Sequence, residues 1–170
     1  RVRVLAFGDV PHWLTVDAVP VEDLIWPDLQ AQGHTAMGGA LKLVAETLSA
    51  GSEGTRQLPP ILVLASDGYP TDDVDEGLRA LFATAEGAAA TRIAIAIGSD
   101  AGLAILNRFI GNPAMPPLRA GNAAELAQHI RWATTAPVRR ASSPIDVDDP
   151  LAALARTRPA DDTPMSEIIW

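Results

Sequence analysis

The sequence predicts an α/β fold: a doubly wound, mainly parallel sheet with helices on both faces. Three observations carry this expectation. Residues 61–65 (ILVLA) and 92–98 (RIAIAIG) are apolar almost without interruption, the pattern of strands covered on both sides. Stretches with apolar residues spaced three and four apart alternate with them, the mark of amphipathic helices. Each strand leaves through a short loop rich in Gly, Ser, Thr or Asp, as in repeated strand–helix units.

Taken in order, residues 1–8 (RVRVLAFG) read as a strand, and residues 13–21 (WLTVDAVPV) as a half-exposed or edge strand ending near Pro20. Residues 25–32 form a loop with Pro27. A helix is expected over residues 35–50, with Met37, Ala40, Leu41, Val44, Ala45 and Leu48 on one face. Residues 51–60 are a polar connection. After the strand at 61–65, a helix is expected from about residue 72 to 89. Thr71, Asp72 or Asp73 can cap it, and Glu76 stands three residues after Asp73. The strand at 92–98 leads to a short helix over 102–110, with Leu103, Leu106 and Ile110 inward. A short last strand at 116–120 and a helix from about 122 to 134 follow, the latter with Leu126, Ile130 and Ala133 inward. Residues 1–137 therefore make the domain. Residues 138–170 form a Pro/Asp-rich tail with two short apolar islands, 151–155 and 165–170.

Bulk properties narrow the function. A net charge of −8 and an isoelectric point near 4.7 argue against nucleic acid and against an anionic membrane surface. No apolar run approaches the ~20 residues that span a bilayer. The absence of cysteine excludes disulfides, zinc ribbons and thiol catalysis, and fits a cytoplasmic protein.

Two segments carry the chemistry: GHTAMGGAL at 33–41 and ILVLASDGYPTDD at 61–73. Each sets a hard oxygen donor, Thr35 or Asp67, in a loop before a helix. In a parallel sheet such loops share one edge, where ligands bind. Hydroxyl and carboxylate oxygens suit Mg²⁺ or Mn²⁺ better than zinc. The bland alternatives are that Thr35 is the N-cap of its helix and that Asp67 serves an Asx turn. Asp72 and Asp73 read as cap and dipole partners. His34, Asp9 and Ser66 are candidates for a binding rim, while His12 and His129 show no metal-ligand spacing. Gly38-Gly39 lacks the Lys-Ser/Thr of a phosphate loop. Arg139-Arg140-Ala141-Ser142 makes Ser142 a candidate phosphorylation site. Trp170 is a candidate anchor for a partner groove.

GHTAMGGAL resembles the Thr loop, and LASDGYPTDD the Asp loop, of von Willebrand factor A domains. VRVLAFGD with the following Trp-containing strand is similar to their second and third strands, and RIAIAIGSDAGLAILNRFIG to the strand and helix that follow. The resemblance covers residues 2–135 and is nearest the bacterial TerY-like subgroup of tellurium-resistance and stress operons. It implies a metal-ion-dependent adhesion site in which Thr35 and Asp67 help hold Mg²⁺ (or Mn²⁺), with a partner carboxylate as the last ligand. It further implies a non-enzymatic protein-binding module whose partner is an operon-linked Ser/Thr kinase or phosphatase. The family's Asp-x-Ser-x-Ser motif on its opening strand does not occur in these residues. The site is therefore expected to be completed by an upstream segment or by another chain, or else to be degenerate. Two other functions remain open: a metal-dependent phosphoesterase using Asp67, and a structural subunit with a dead metal site.

Overall fold

The computed structural model describes residues 1–25, 33–51, 58–98 and 102–141, with residues 134–141 described by backbone alone. Residues 26–32 of the expected loop, 52–57 of the expected connection, and the tail islands at 151–155 and 165–170 lie outside the described residues. The described chain falls into two compact units. The first is built from stretches before residue 58 and from Pro70–Ala89; the second is built from Leu58–Tyr69 and from Ala90 onward.

The first unit opens with an antiparallel pair, β1 (Leu5–Ala6) and β2 (His12–Trp13), in which Leu5 faces Trp13 and Ala6 faces His12. The expectation of two longer strands is corrected. Beyond this ladder a single bridge, Val2 to Val19, continues the pairing, and Val21–Asp23 turns as a short 3-10 helix after Pro20. Side chains take over where the ladder stops. The Val4 N–H donates to Thr15 Oγ1 at 3.2 Å, and the Arg3 guanidinium donates to the Val16 carbonyl at 2.7 Å. The same guanidinium lies 4.0 Å from the Trp13 ring centre, a cation–π contact.

Two helices, α1 (Met37–Gly51) and α2 (Val74–Ala83), pack together, and α3 (Ala85–Ala89) follows. Met37, Ala40, Leu41 and Ala45 of the face expected for α1 are buried, while Val44 and Leu48 are half-buried; Val74, Leu78 and Leu81 of α2 are buried as well. The single helix expected over 72–89 is divided at Thr84. That residue adopts extended backbone (ψ 143°), and its hydroxyl accepts the Gly87 N–H at 2.9 Å to start α3. Asp73 caps α2 as expected, its Oδ1 accepting the Glu76 N–H at 2.9 Å. Glu76 does not return a capping-box bond. Its carboxylate lies 2.6 Å from Lys42 Nζ on α1, an exposed pair of small energetic weight.

The helices meet through glycine. A Cβ on Gly38 would stand 2.3 Å from the Asp73 carbonyl oxygen, and one on Gly77 would stand 2.5 Å from the Gly38 carbonyl oxygen. No side chain larger than hydrogen fits either place without moving backbone.

The second unit is a parallel three-stranded sheet, β3 (Ile61–Ser66), β4 (Thr91–Ile97) and β5 (Leu118–Ala120), in the order β3-β4-β5. This sheet and its helices place the chain in the α/β class. Ser66 pairs in register with Ala96, and Ile97 with Ala120. Ile93, Ala94, Ile95 and Ala96 of the central strand are all buried, as an uninterrupted apolar run predicts. For β3 that prediction is corrected: Leu64 and Ser66 are buried, but Val63 is 36% exposed and Ala65 is half-buried. Among the described residues β3 pairs on one edge only. Helix α4 (Leu103–Ile110) packs on β4, buries Leu106, Phe109 and Ile110, and ends at Gly111 with φ +69°.

Helix α5 (Ala123–Ala141) runs past the end expected near Thr134. Its inward stripe is also corrected. Ile130 is 40% exposed, whereas His129 is buried at 2% beside fully buried Ala133. His129 is accepted inside because its Nε2–H donates to the Arg119 carbonyl at 2.6 Å. Among the described residues no helix is long and apolar enough to cross a membrane.

The glycine contact sets the first test. Gly77→Ala should destabilise the fold by about 1–3 kcal/mol through overpacking, despite alanine's better helix propensity. Gly51→Ala, where a Cβ would meet nothing within 4 Å, should be neutral or slightly stabilising. Urea midpoints of the two variants check this; equal midpoints would contradict it.

Candidate functional site

The Thr35 loop is held by its main chain. The Thr35 N–H donates to Thr71 Oγ1 at 3.1 Å, and its carbonyl accepts the Thr71 N–H at 3.0 Å and the Met37 N–H at 2.8 Å. One residue on, the Ala36 N–H donates to the Gly8 carbonyl at 2.9 Å. The first four amides of a helix lack partners within it and need acceptors elsewhere. In α1 these come from the Thr35 carbonyl for Met37, the Asp72 carboxylate for Gly38 and Gly39, and the Ala36 carbonyl for Ala40. Asp72 accepts at both oxygens, 2.8 Å at Oδ1 and 2.7 Å at Oδ2. The alternative that Thr35 serves as the side-chain cap of its own helix is thereby set aside. Among the described residues the Thr35 hydroxyl takes up no hydrogen bond.

Asp9 and His34, two of the rim candidates, form a pair. Asp9 Oδ1 accepts the His34 main-chain N–H at 2.7 Å and stands 2.7 Å from His34 Nδ1. Both side chains are exposed. Gly33 makes the approach feasible: its φ is +85°, and a Cβ there would stand 2.6 Å from the Asp9 carboxylate. The His34 main-chain N–H, and after it the imidazole, hold the Asp9 carboxyl below its ordinary value of 3.8.

Asp67 belongs to the second unit, where it directly follows β3 at the carboxyl edge of the parallel sheet. Its side chain is exposed, and among the described residues its carboxylate takes up no hydrogen bond or ion pair. Ser66, expected on the rim, is instead 4% exposed. Its hydroxyl lies 3.3 Å from the Gly68 carbonyl oxygen and accepts the Gly68 N–H at 3.4 Å, inside the turn that carries Asp67.

The structure thus gathers Asp9, His34, Thr35, Thr71 and Asp72 in the first unit, and Ser66 with Asp67 in the second. His12 is exposed, its Nδ1 3.3 Å from the Val10 carbonyl oxygen. Ser142 and Trp170 lie outside the described residues. Sequence reasoning missed the bond from Thr71 to the Thr35 loop and the long reach of Asp72. The T-D-D run signalled capping, but not that Asp72 would cap a helix 34 residues earlier.

The donor chemistry fits a hard divalent cation in kind. Thr35 Oγ1 and the Asp67 carboxylate are oxygen donors, and among the described residues neither takes up a hydrogen bond. In number they supply less than half of a six-coordinate shell. Among the described residues no three His, Cys, Asp or Glu side chains gather as a metal cluster. Any further ligands would come from water, from a partner or from residues beyond these.

A carboxylate donor on the loop after a parallel strand, as Asp67 is, marks the class of α/β domain that binds ligands at the carboxyl edge of its sheet. The chain belongs to the von Willebrand factor type A domain family, whose family model matches residues 21–130, more than half of its length. Domains of this family commonly serve as protein-interaction modules. No curated protein and no solved structure matches the chain.

The Asp9 tether carries a pH signature. A carboxyl lowered in the folded state lends its support above the unfolded value and loses it as pH falls through the folded value. The His34 main-chain amide should therefore keep its hydrogen-bonded chemical shift down to about pH 3.8 and lose it only below. An NMR titration checks this, with Asp9→Asn expected to flatten the step.

Proposed function

We propose that the chain is a non-enzymatic protein-binding module that captures an acidic partner through a Mg²⁺ or Mn²⁺ ion held by Thr35 and Asp67. One observation carries the reading. Of the polar groups at these loops, Asp9, Asp72 and Asp73 each hold a main-chain amide, whereas the Thr35 hydroxyl and the Asp67 carboxylate take up no hydrogen bond among the described residues. When bound, the ion would supply a positive charge with an open coordination position that attracts a partner carboxylate. The chain's own residues present the two donors: Thr35 from a loop fixed by its main chain, Asp67 from a turn stiffened by Ser66. The additional ligands enter on a strand laid along the open edge of β3, contributed by an upstream segment or by another chain. Family likeness to the TerY-like subgroup favours a cytoplasmic stress or tellurium-resistance-type system, with an operon-linked Ser/Thr kinase or phosphatase as partner.

Binding of that kinase or phosphatase to the chain, measured by calorimetry with Mg²⁺ and again with EDTA, tests the reading. Chelation should abolish it, and Asp67→Ala or Thr35→Ala should weaken it by at least about tenfold, the scale of losing a group at a metal site. Binding that survives both EDTA and Asp67→Ala would refute a cation-dependent interface.

A further inference from the structure

We infer that Asp72 is a positioning residue of the cation site, acting on Thr35 through α1 and the 70–73 segment; this rests on the reading of Thr35 and Asp67 as ligands. Three observations place it in this role. Its two carboxylate oxygens accept the Gly38 and Gly39 amides at 2.8 and 2.7 Å, so both oxygens are engaged and neither is left for a cation. The neighbouring Thr71 receives the Thr35 N–H on its hydroxyl and donates its own N–H to the Thr35 carbonyl, a two-rung link of 3.1 and 3.0 Å. The space around these contacts is full. A Cβ at Gly38 would strike the Asp73 carbonyl, and one at Gly39 would stand 3.2 Å from Pro11 Cγ and 3.6 Å from Asp72 Oδ2. Thr35 is thereby held directly by Thr71, while Asp72 fixes the first turn of the helix that follows it.

The consequence concerns Thr35 specifically. A cap made by the Thr35 hydroxyl would stabilise α1 but would turn that oxygen toward the helix amides. A carboxylate brought from 34 residues away fills the same need with a stronger, charge-assisted pair of bonds. It leaves the hydroxyl without a hydrogen bond among the described residues, on a main chain tied to Thr71. Metal sites depend on such indirect supports: loss of an orienting group commonly costs 10–100-fold in affinity.

Asp73 provides the control. It caps α2 through one amide, at Glu76, and does not reach the Thr35 loop with its side chain. Asp72→Ala and Asp73→Ala should therefore cost comparable stability while differing at the site. The experiment uses the whole chain, with Mn²⁺ alone as the probe, and reads paramagnetic broadening and hydrogen exchange of individual amides. Without metal, Asp72→Ala should speed exchange at Gly38 and Gly39 by about tenfold or more. Asp73→Ala should speed it at Glu76 and leave the two glycines within about twofold. With Mn²⁺, broadening of the Thr35 amide should need about tenfold more metal in Asp72→Ala, and unchanged metal in Asp73→Ala. Asp72→Asn, which keeps one acceptor, should fall between.

If wild type broadens and the two alanine variants shift alike, Asp72 is merely a structural residue and the inference is overturned. Unchanged exchange at Gly38 and Gly39 in Asp72→Ala overturns it as well. Broadening registers even an ion held weakly, without the ligands a further strand would add; if wild type and Asp67→Ala both show none at Thr35, the cation reading itself has failed and takes this inference with it. That outcome differs from the others because the wild type alone reveals it.

Discussion

The first unit depends on backbone meeting backbone where α1 and α2 begin. Gly38 and Gly77 lie so close that neither tolerates a Cβ, and this approach carries the start of α2 to the start of α1. Once there, Asp72 and Asp73, adjacent in sequence, serve different helices. Asp73 caps the helix it precedes, while Asp72 reaches across to the amides of α1. Each carboxylate meets the positive end of a helix dipole, a placement worth a few tenths to about 1 kcal/mol at a surface. The glycine contact thus controls more than packing, because it decides which group satisfies the amides of α1.

That decision reaches the Thr35 side chain. A threonine at the cap position of a helix ordinarily places its hydroxyl on the N2 or N3 amide, and Thr35 stands one residue ahead of that position in α1. Here those amides are already taken by Asp72, and Thr35 is bound through main-chain groups alone. The same division appears at Asp9, which holds the His34 amide over a glycine that could carry no side chain in that conformation. Structural needs at these loops are met by Asp9, Asp72, Asp73, Thr71 and Ser66. The two residues with family-motif positions, Thr35 and Asp67, meet none of them with their side chains.

Much of this was readable in the sequence, and what was not has identifiable causes. The central strand β4 announced itself by an uninterrupted apolar run, and α1 and α4 by periodicity closed with small residues. Asp73 and Glu76 gave the start of α2 by spacing. Strands β1 and β2 came out short because Arg3 and Thr15 bind main chain that a ladder would otherwise use, and hydropathy does not register such bonds. The α2–α3 break rests on one hydroxyl, that of Thr84. Ile130 and His129 exchanged places because a carbonyl at Arg119 makes a buried imidazole acceptable, a partner that no local pattern reveals. Asp72 was legible as a cap, but its target was not, since that depends on which helix the glycines bring near.

The charge pattern gives the strongest physical reason to link Asp67 with a cation. The run Ser66-Asp67-Gly68-Tyr69-Pro70-Thr71-Asp72-Asp73 holds three carboxylates and no basic residue, in a chain of net charge −8. Two of the three are offset by helix N-termini. The one lysine of the chain, Lys42, is occupied with Glu76. Asp67 stands at the end of a strand, and sheets have little dipole to offer it. Water can solvate an exposed carboxylate, so the fold does not require a counter-charge there. A partner that brings a further carboxylate to the same edge would add like charge, and such juxtaposition is costly unless a positive charge lies between. A divalent ion bound through hard oxygens meets that condition, whereas direct docking of an acidic partner onto Asp67 does not.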